Sequence, residues 1–302
     1  MISYDYLMPK SLTEVWEYYK RFPGSRYIAG GTDMMVKIKG GGVKPAALIS
    51  LRSIPELSRI QIEETIRIGA LTTITDLINH KELGAIFPVL IQAAKRLGGP
   101  QIRNVATVGG NLCNCSPCAD TALPLLVLDA RVVLTRAEGS REIPLDDFFL
   151  GPGESCLLPG EILTEILLDR PTSDTIAIFM KKGRVRMDLA IAGLAILLEF
   201  EGAAHRCKKA RIAAGSVAPV PLRLKKVEDI LENAEINEDM LDEAKKMAEI
   251  SVSPITDIRS TEEYRRRLIG VYFKRALQVL LDKENEKRDT FCFEWFRSNS
   301  NG

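Results

Sequence analysis

Apolar positions recur along this chain with two alternating periods. Ser11 to Phe22 ("SLTEVWEYYKRF") has apolar residues at helical spacing behind a Ser-x-x-Glu capping box. "SRYIAGG", "PAALISL" and "IQIEETIRIGA" read as short strands, the last one bent back at Glu63-Glu64. Thr73 and Asp76 open a second box, and the helical pattern behind it reaches Leu97 with a break at Phe87-Pro88. "NVATVGGNL" reads as a strand running into a glycine turn, "DTALPLLVLDA" as a helix and "RVVLTRA" as a strand. "GPGESCLLPGEILTEILL" is a loop feeding another strand. "RPTSD" then gathers turn formers and marks a boundary near residues 171–174. Beyond it, "TIAIFMKK", "LAIAGLAILLEF" and "KARIAAGSVA" predict three strands, followed by helices over 224–233 and 238–251. A long final helix opens at the box Ser260/Glu263 and carries the stripe Tyr264, Leu268, Val271, Leu277, Leu280. The class is α+β in two parts.

Two stretches share one pattern. "YIAGGTD" and "ATVGGN" each set a glycine pair behind an apolar run, with Thr32 and Asp33 flanking the first and Thr107 and Asn111 the second. Glycine allows positive φ and a close approach to the backbone, and consecutive N–H groups in such a turn form an anion-binding hollow. A helix starting near Asp33 would add its positive end. Neither Ala29–Asp33 nor Thr107–Asn111 holds a lysine or arginine, so a bound anion would rest on amides, as a cofactor pyrophosphate does. Hydrogen bonds to charged groups contribute ~1.5–3 kcal/mol each, so three or four suffice. A single such turn would be read as an ordinary β-turn; the matched pair argues for a dinucleotide. The Rossmann pattern is absent, "GPGESC" lacks its third glycine, and there is no P-loop.

Composition removes other classes. Lys plus Arg (41) balances Asp plus Glu (40) over 302 residues, which gives no basic footprint for nucleic acid. The longest apolar run, Leu189–Leu198, is half a membrane span, and "MISYDYLMPK" is no signal peptide; the expected location is the cytoplasm. Six scattered cysteines (113, 115, 118, 156, 207, 292) suit reduced thiols better than a disulfide framework. His80 and His205, the only histidines, stand outside any metal or triad motif. The triplet Cys113, Cys115 and Cys118 is either a ligand set or small buried packing; a four-iron cluster takes four thiolates, which favours packing.

"AGGTD", "RNVATVGGNL" with "SPCAD", "LPLLVLDARVVL", "KKGRVRMDLAIAG", "RIAAGSVAPVPLR" and "DIRSTEEYRRRLIGVYFKRAL" together resemble the FAD-binding (medium) subunit of the molybdenum hydroxylases, the family of xanthine dehydrogenase and aerobic carbon monoxide dehydrogenase. The resemblance reaches residue 282. It implies a two-subdomain FAD domain of the vanillyl-alcohol-oxidase type over 1–173, a smaller α+β domain over 174–284, and an unassigned tail over 285–302. By position it implies FAD contacts from Ile28, Ala29, Gly30, Gly31, Thr32 and Asp33, and from Thr107, Val108, Gly109, Gly110 and Asn111. It sets Leu97 against the cofactor as an apolar contact. Asp120 becomes an acceptor for cofactor hydroxyl or amine groups, though its place before "TALPLL" would equally suit a helix N-cap. Lys181 becomes a lysine beside the flavin, against a solvated surface lysine, with Lys182 one register away. The resemblance further implies partners: a small subunit with [2Fe-2S] clusters, a large molybdopterin-molybdenum subunit, and an acceptor such as NAD+. The competing reading on the same scaffold is a self-contained flavoprotein oxidase or reductase.

Overall fold

The computed structural model describes residues 4–171, 175–201 and 206–299, with side chains through residue 282. The chain begins with a three-stranded sheet in which Ala47–Ser50 lies between Asp5–Leu7 and Arg26–Ile28, parallel to both. Parallel neighbours need crossovers, and the helices Leu12–Arg21 and Met34–Lys39 occupy them. Ser11 Oγ accepts the Glu14 N–H at 3.3 Å, while the Glu14 carboxylate reaches back to the Lys10 N–H at 2.8 Å. Both ends of the expected box are thus used, the carboxylate one residue earlier than in the standard motif.

A five-stranded antiparallel sheet follows, in the order Ile60–Gln61, Thr65–Gly69, Ile162–Asp169, Arg131–Arg136, Gly139–Pro144. Its Ile66, Ile68, Val132, Leu134 and Ile166 share one core with the helices Ile74–Asn79, Pro88–Arg96 and Ala122–Val127. The helical stretch expected to run from Thr73 with one break has two. Besides the break at Phe87-Pro88, it ends at His80, whose Nδ1 accepts the Leu83 N–H at 3.2 Å and starts the helix Lys81–Ile86. Histidine was a poor sequence signal for a cap because Ser, Thr, Asp and Asn dominate that position. His205 lies outside the described residues, as does most of the 171–174 boundary.

The C-terminal part is built on the antiparallel strands Thr175–Lys182, Ala192–Glu201 and Arg206–Gly215. The middle strand is buried on both faces. Leu194, Ile196 and Leu198 pack on the helices Glu238–Ile250 and Glu262–Asn299, while Ala195 and Leu197 join the core of the preceding sheet. Burial on both faces explains why that strand reads as an unbroken apolar run. The last helix is capped by Thr261, which accepts the Tyr264 N–H at 3.3 Å, and not by Ser260, whose N–H is held by Asp257. Of the expected stripe, Leu268, Leu277 and Leu280 are buried and Tyr264 is exposed. The helix runs to Asn299, so the backbone of the tail is helical that far; its side chains lie outside the description.

Candidate functional site

The strand Arg26–Ile28 ends against its neighbour, with the Leu51 N–H donating to Ile28 O at 3.0 Å. Gly31 then takes φ +78°, which reverses the chain at no steric cost, and the helix Met34–Lys39 begins. Asp33 sits at its N-cap without a side-chain cap bond. Among the described residues no acceptor faces the N–H of Ala29, Gly30, Gly31, Thr32 or Asp33. Five neighbouring N–H donors without protein partners, on half-buried to exposed residues, are available to a ligand. The helix itself spans only six residues, so its dipole adds little to them. Gly30 has a second reason to be glycine: a Cβ there would strike the Val105 carbonyl and Ala106 Cα, because the two glycine loops pack on each other.

The second loop differs from the expected strand and turn. Asn104 to Ala106 form no strand; Thr107 makes one isolated bridge to Thr73 and caps the helix Val108–Cys113, which contains both glycines. Its N–H groups are engaged: Val108 donates to Thr72 O (3.0 Å), Gly109 to Ala70 O (2.8 Å), Gly110 to Thr107 Oγ1 (3.1 Å) and Asn111 to Thr107 O (2.9 Å). A Cβ on Gly109 would come within 2.8 Å of Ala70 O. Close packing against the end of strand Thr65–Gly69, not ligand approach, therefore requires that glycine. The expectation of a second amide cradle is corrected on this ground. What the loop offers is the Thr107 N–H and the Asn111 side chain, whose Oδ1 accepts the Thr121 hydroxyl at 2.7 Å and whose NH₂ is left over.

Both loops line one cleft of about 590 Å³, together with Leu97 and Asp120. Two of the expected residues stand behind its wall. Val108 is fully buried in the core, and Lys181 lies beneath Asp120, its Nζ 2.6 Å from Asp120 Oδ2 and 3.0 Å from Arg96 O. Strand alternation settles the register, since Lys181 faces inward and Lys182 outward. Lys181 is not a solvated surface lysine. Asp120 is not an N-cap, because Thr121 occupies that place before Ala122–Val127. Burial pushes the Asp120 carboxyl up to about 6, against the pull of Lys181.

Sequence reasoning missed Lys37 and Arg26, which put cations in the cleft wall although neither glycine loop has one. Lys37 lies one helical turn beyond Asp33, which was the available signal, and its Nζ donates to Asn114 Oδ1 at 2.7 Å. Cys113 and Cys118 line the cleft while Cys115 is buried at φ +46°. Burial raises the Cys113 thiol to about 12 and Cys115 to about 11, and a metal needs the thiolate. Among the described residues no three His, Cys, Asp or Glu side chains are grouped to hold a metal, and no helix is long and apolar enough to cross a membrane.

A mixed α+β chain with partnerless amides on a cleft of about 590 Å³ has the form of a small-molecule-binding protein. The FAD binding domain of molybdopterin dehydrogenases matches residues 2–171, and the carbon monoxide dehydrogenase flavoprotein C-terminal domain matches residues 177–280. The nicotinate dehydrogenase FAD-subunit of Eubacterium barkeri is 33% identical over 94% of this chain and 98% of its own. The carbon monoxide dehydrogenase medium chain of Afipia carboxidovorans is 32% identical over 91% and 96%. A carbon monoxide dehydrogenase structure from Hydrogenophaga pseudoflava superimposes with a TM-score of 0.88 at 31% identity, covering 91% of this chain and 96% of the other. The chain belongs to the FAD-binding medium subunits of the molybdenum hydroxylases, which are oxidoreductases.

Proposed function

We propose that this chain is the electron-transfer subunit of a molybdenum-dependent dehydrogenase. It would take electrons from the iron–sulfur clusters of a small partner subunit, which is fed by a molybdopterin-bearing large subunit, and deliver them to an acceptor such as NAD+. The observation that carries the reading is the row of five partnerless N–H groups, Ala29 to Asp33, on the wall of the 590 Å³ cleft. They fit a pyrophosphate: five unengaged N–H donors in a row, positive φ at Gly31, and Lys37 at hand for residual charge. The cleft volume falls within the ~300–1,000 Å³ of small-molecule sites.

In this reading Ile28 anchors the loop in the sheet, and Ala29 to Asp33 hold the phosphates by their amides. Thr107 and the Asn111 amide bond the middle of the cofactor. Gly109, Gly110 and Val108 fix that loop against the core. Asp120 accepts from hydroxyl or ring N–H donors, held in place and charge-compensated by Lys181. Leu97 gives an apolar wall that keeps water from the reactive end. Bound FAD supplies the exchange between one-electron and two-electron carriers. Five free thiols among the described residues accord with a reducing, cytoplasmic setting.

The test is purification of the chain alone and with whatever copurifies. Alone it is expected to hold about one non-covalent FAD, to be reduced by NADH, and to hydroxylate nothing. Hydroxylation of a purine or aldehyde by the lone chain would overturn the electron-transfer role in favour of a self-contained flavoenzyme.

A further inference from the structure

The cleft has walls from both parts of the chain, and the C-terminal part contributes Met187, Asp188 and Leu189. They lie on the stretch 183–191, which joins strand Thr175–Lys182 to strand Ala192–Glu201 and has no regular structure of its own. Core packing does not place it: Val185 is 65% exposed, Met187 59% and Leu189 47%. Its internal bonds, Asp188 N–H to Val185 O (3.2 Å) and Arg184 to the Asp188 carboxylate (2.6 Å), shape the turn without anchoring it. Met187 reaches the opposite wall, since a Cβ on Gly99 would lie 3.1 Å from its sulfur.

Among the described residues two side chains from outside hydrogen-bond to this stretch, both at its C-terminal end. The Cys118 thiol donates weakly to Ala190 O at 3.7 Å, and Arg265 Nη1 donates to Ile191 O at 2.7 Å. Arg265 is buried on the last helix, Glu262–Asn299, and the same nitrogen also donates to Ser216 O at 3.0 Å. Its Nη2 donates to Asp257 Oδ1 at 2.6 Å.

Each of these acceptors is itself held. Ser216 donates its N–H to Pro117 O at 2.7 Å, in the loop that leads to Asp120. It does so at φ +62°, a conformation that a residue with a Cβ keeps only where its neighbours enforce it. Asp257 accepts the N–H groups of Arg259 (2.8 Å) and Ser260 (3.2 Å). Against the upward push of burial, these bonds and Arg265 hold its carboxyl down to about 2. A planar guanidinium bound through both terminal nitrogens has little freedom to turn. It therefore fixes the stretch 183–191 to the turn that docks on Pro117.

We propose that Arg265 is a positioning residue, which from outside the cleft sets Met187, Asp188 and Leu189 against the bound cofactor. Its action on the cofactor rests on the FAD reading given above; its hold on the stretch does not.

Trypsin tests that hold, because Arg184 and Arg186 are cleavage sites on the stretch itself. In full-length Arg265→Met, cutting after these two residues should speed up roughly tenfold in the absence of FAD. FAD affinity should fall roughly tenfold, and the visible flavin band should lose fine structure. Asp257→Asn, which loosens the guanidinium and keeps its charge, should move the same three readouts by a smaller factor, and it decides alone if Arg265→Met does not fold. Leu277→Ala, a cavity about 18 Å further along the same helix, should lower the melting temperature and move none of the three. Unchanged cutting in the folded variants overturns the proposal. So does an equal response in Leu277→Ala, which would make Arg265 an ordinary part of the core. Faster cutting with unchanged flavin affinity and band defeats the positioning role, because the stretch would then not touch the cofactor. A wild-type chain that binds no FAD, with its variants still cut faster, instead defeats the FAD reading and leaves the hold of Arg265 on the stretch supported.

Discussion

Gly30-Gly31 precedes the six-residue helix Met34–Lys39, whereas Gly109-Gly110 lies inside the six-residue helix Val108–Cys113, and the fold uses the two pairs differently. Among the described residues the first loop leaves five consecutive N–H groups without acceptors, whereas in the second the four from Val108 to Asn111 are engaged. The first offers its backbone to a ligand. The second is a helix start packed on strand Thr65–Gly69, and it offers side chains, from Asn111 to Asp120. Identical dipeptides thus signal two separate needs: positive φ at Gly31, and room for a neighbouring backbone at Gly30 and Gly109.

The largest expected effect comes from the side-chain half of this contrast. Lys181→Met removes the partner of buried Asp120 and should destabilise the chain by ~3–5 kcal/mol, measured by denaturant unfolding. A loss below 1 kcal/mol would mean the pair is not buried as described. Gly109→Ala should cost ~1–3 kcal/mol, since the atoms met, Ala70 Cβ, O and Cα, are fixed by the backbone and cannot rotate aside. Gly30→Ala should do the same at the contact between the loops, and calorimetry on both would show whether that shared packing is real.

A flavin assay separates the loops. Gly31→Val forces a β-branched residue to φ +78° and should lower FAD affinity at least tenfold. Gly110→Val crowds Thr107 Oγ1, which would lie 2.7 Å from the new Cβ, and should act mainly on stability through the cap, by about 1 kcal/mol. Complete flavin loss from Gly110→Val at an unchanged melting temperature would show that the second loop gives backbone amides after all. Thr107→Ala should likewise cost about 1 kcal/mol, with Thr107→Ser near wild type.

The smallest effect is a pH slope. Burial holds the Asp120 carboxyl at about 6, above its ordinary value of 3.8, so the folded chain binds a proton there that the unfolded chain releases. The stability this contributes is complete below pH 4 and is lost as pH rises through 6. Asp120→Asn should flatten that part of the melting-temperature profile. An equal slope in both proteins would assign it to other groups.

Much of the fold was legible because local rules were obeyed. Ser11 and Thr73 cap where their boxes predict, the Glu63-Glu64 bend makes a hairpin, and alternation along Thr175–Lys182 distinguishes Lys181 from Lys182 once the inner face is known. The two glycine motifs pointed to a dinucleotide site, and the family motifs to FAD. What periodicity could not carry were features made by distant partners. The His80 cap, the burial of Lys181 and the engaged amides of Val108 and Gly109 depend on contacts with Leu83, Asp120, Thr72 and Ala70. The sequence by itself determined that residues 28–33 could form a turn with exposed donors, because glycine's allowed φ is a property of the residue. Only the tertiary structure decided that the second glycine pair would be packed shut and that Lys37 would stand in the cleft, because an N–H is free or engaged only with respect to what folding brings against it.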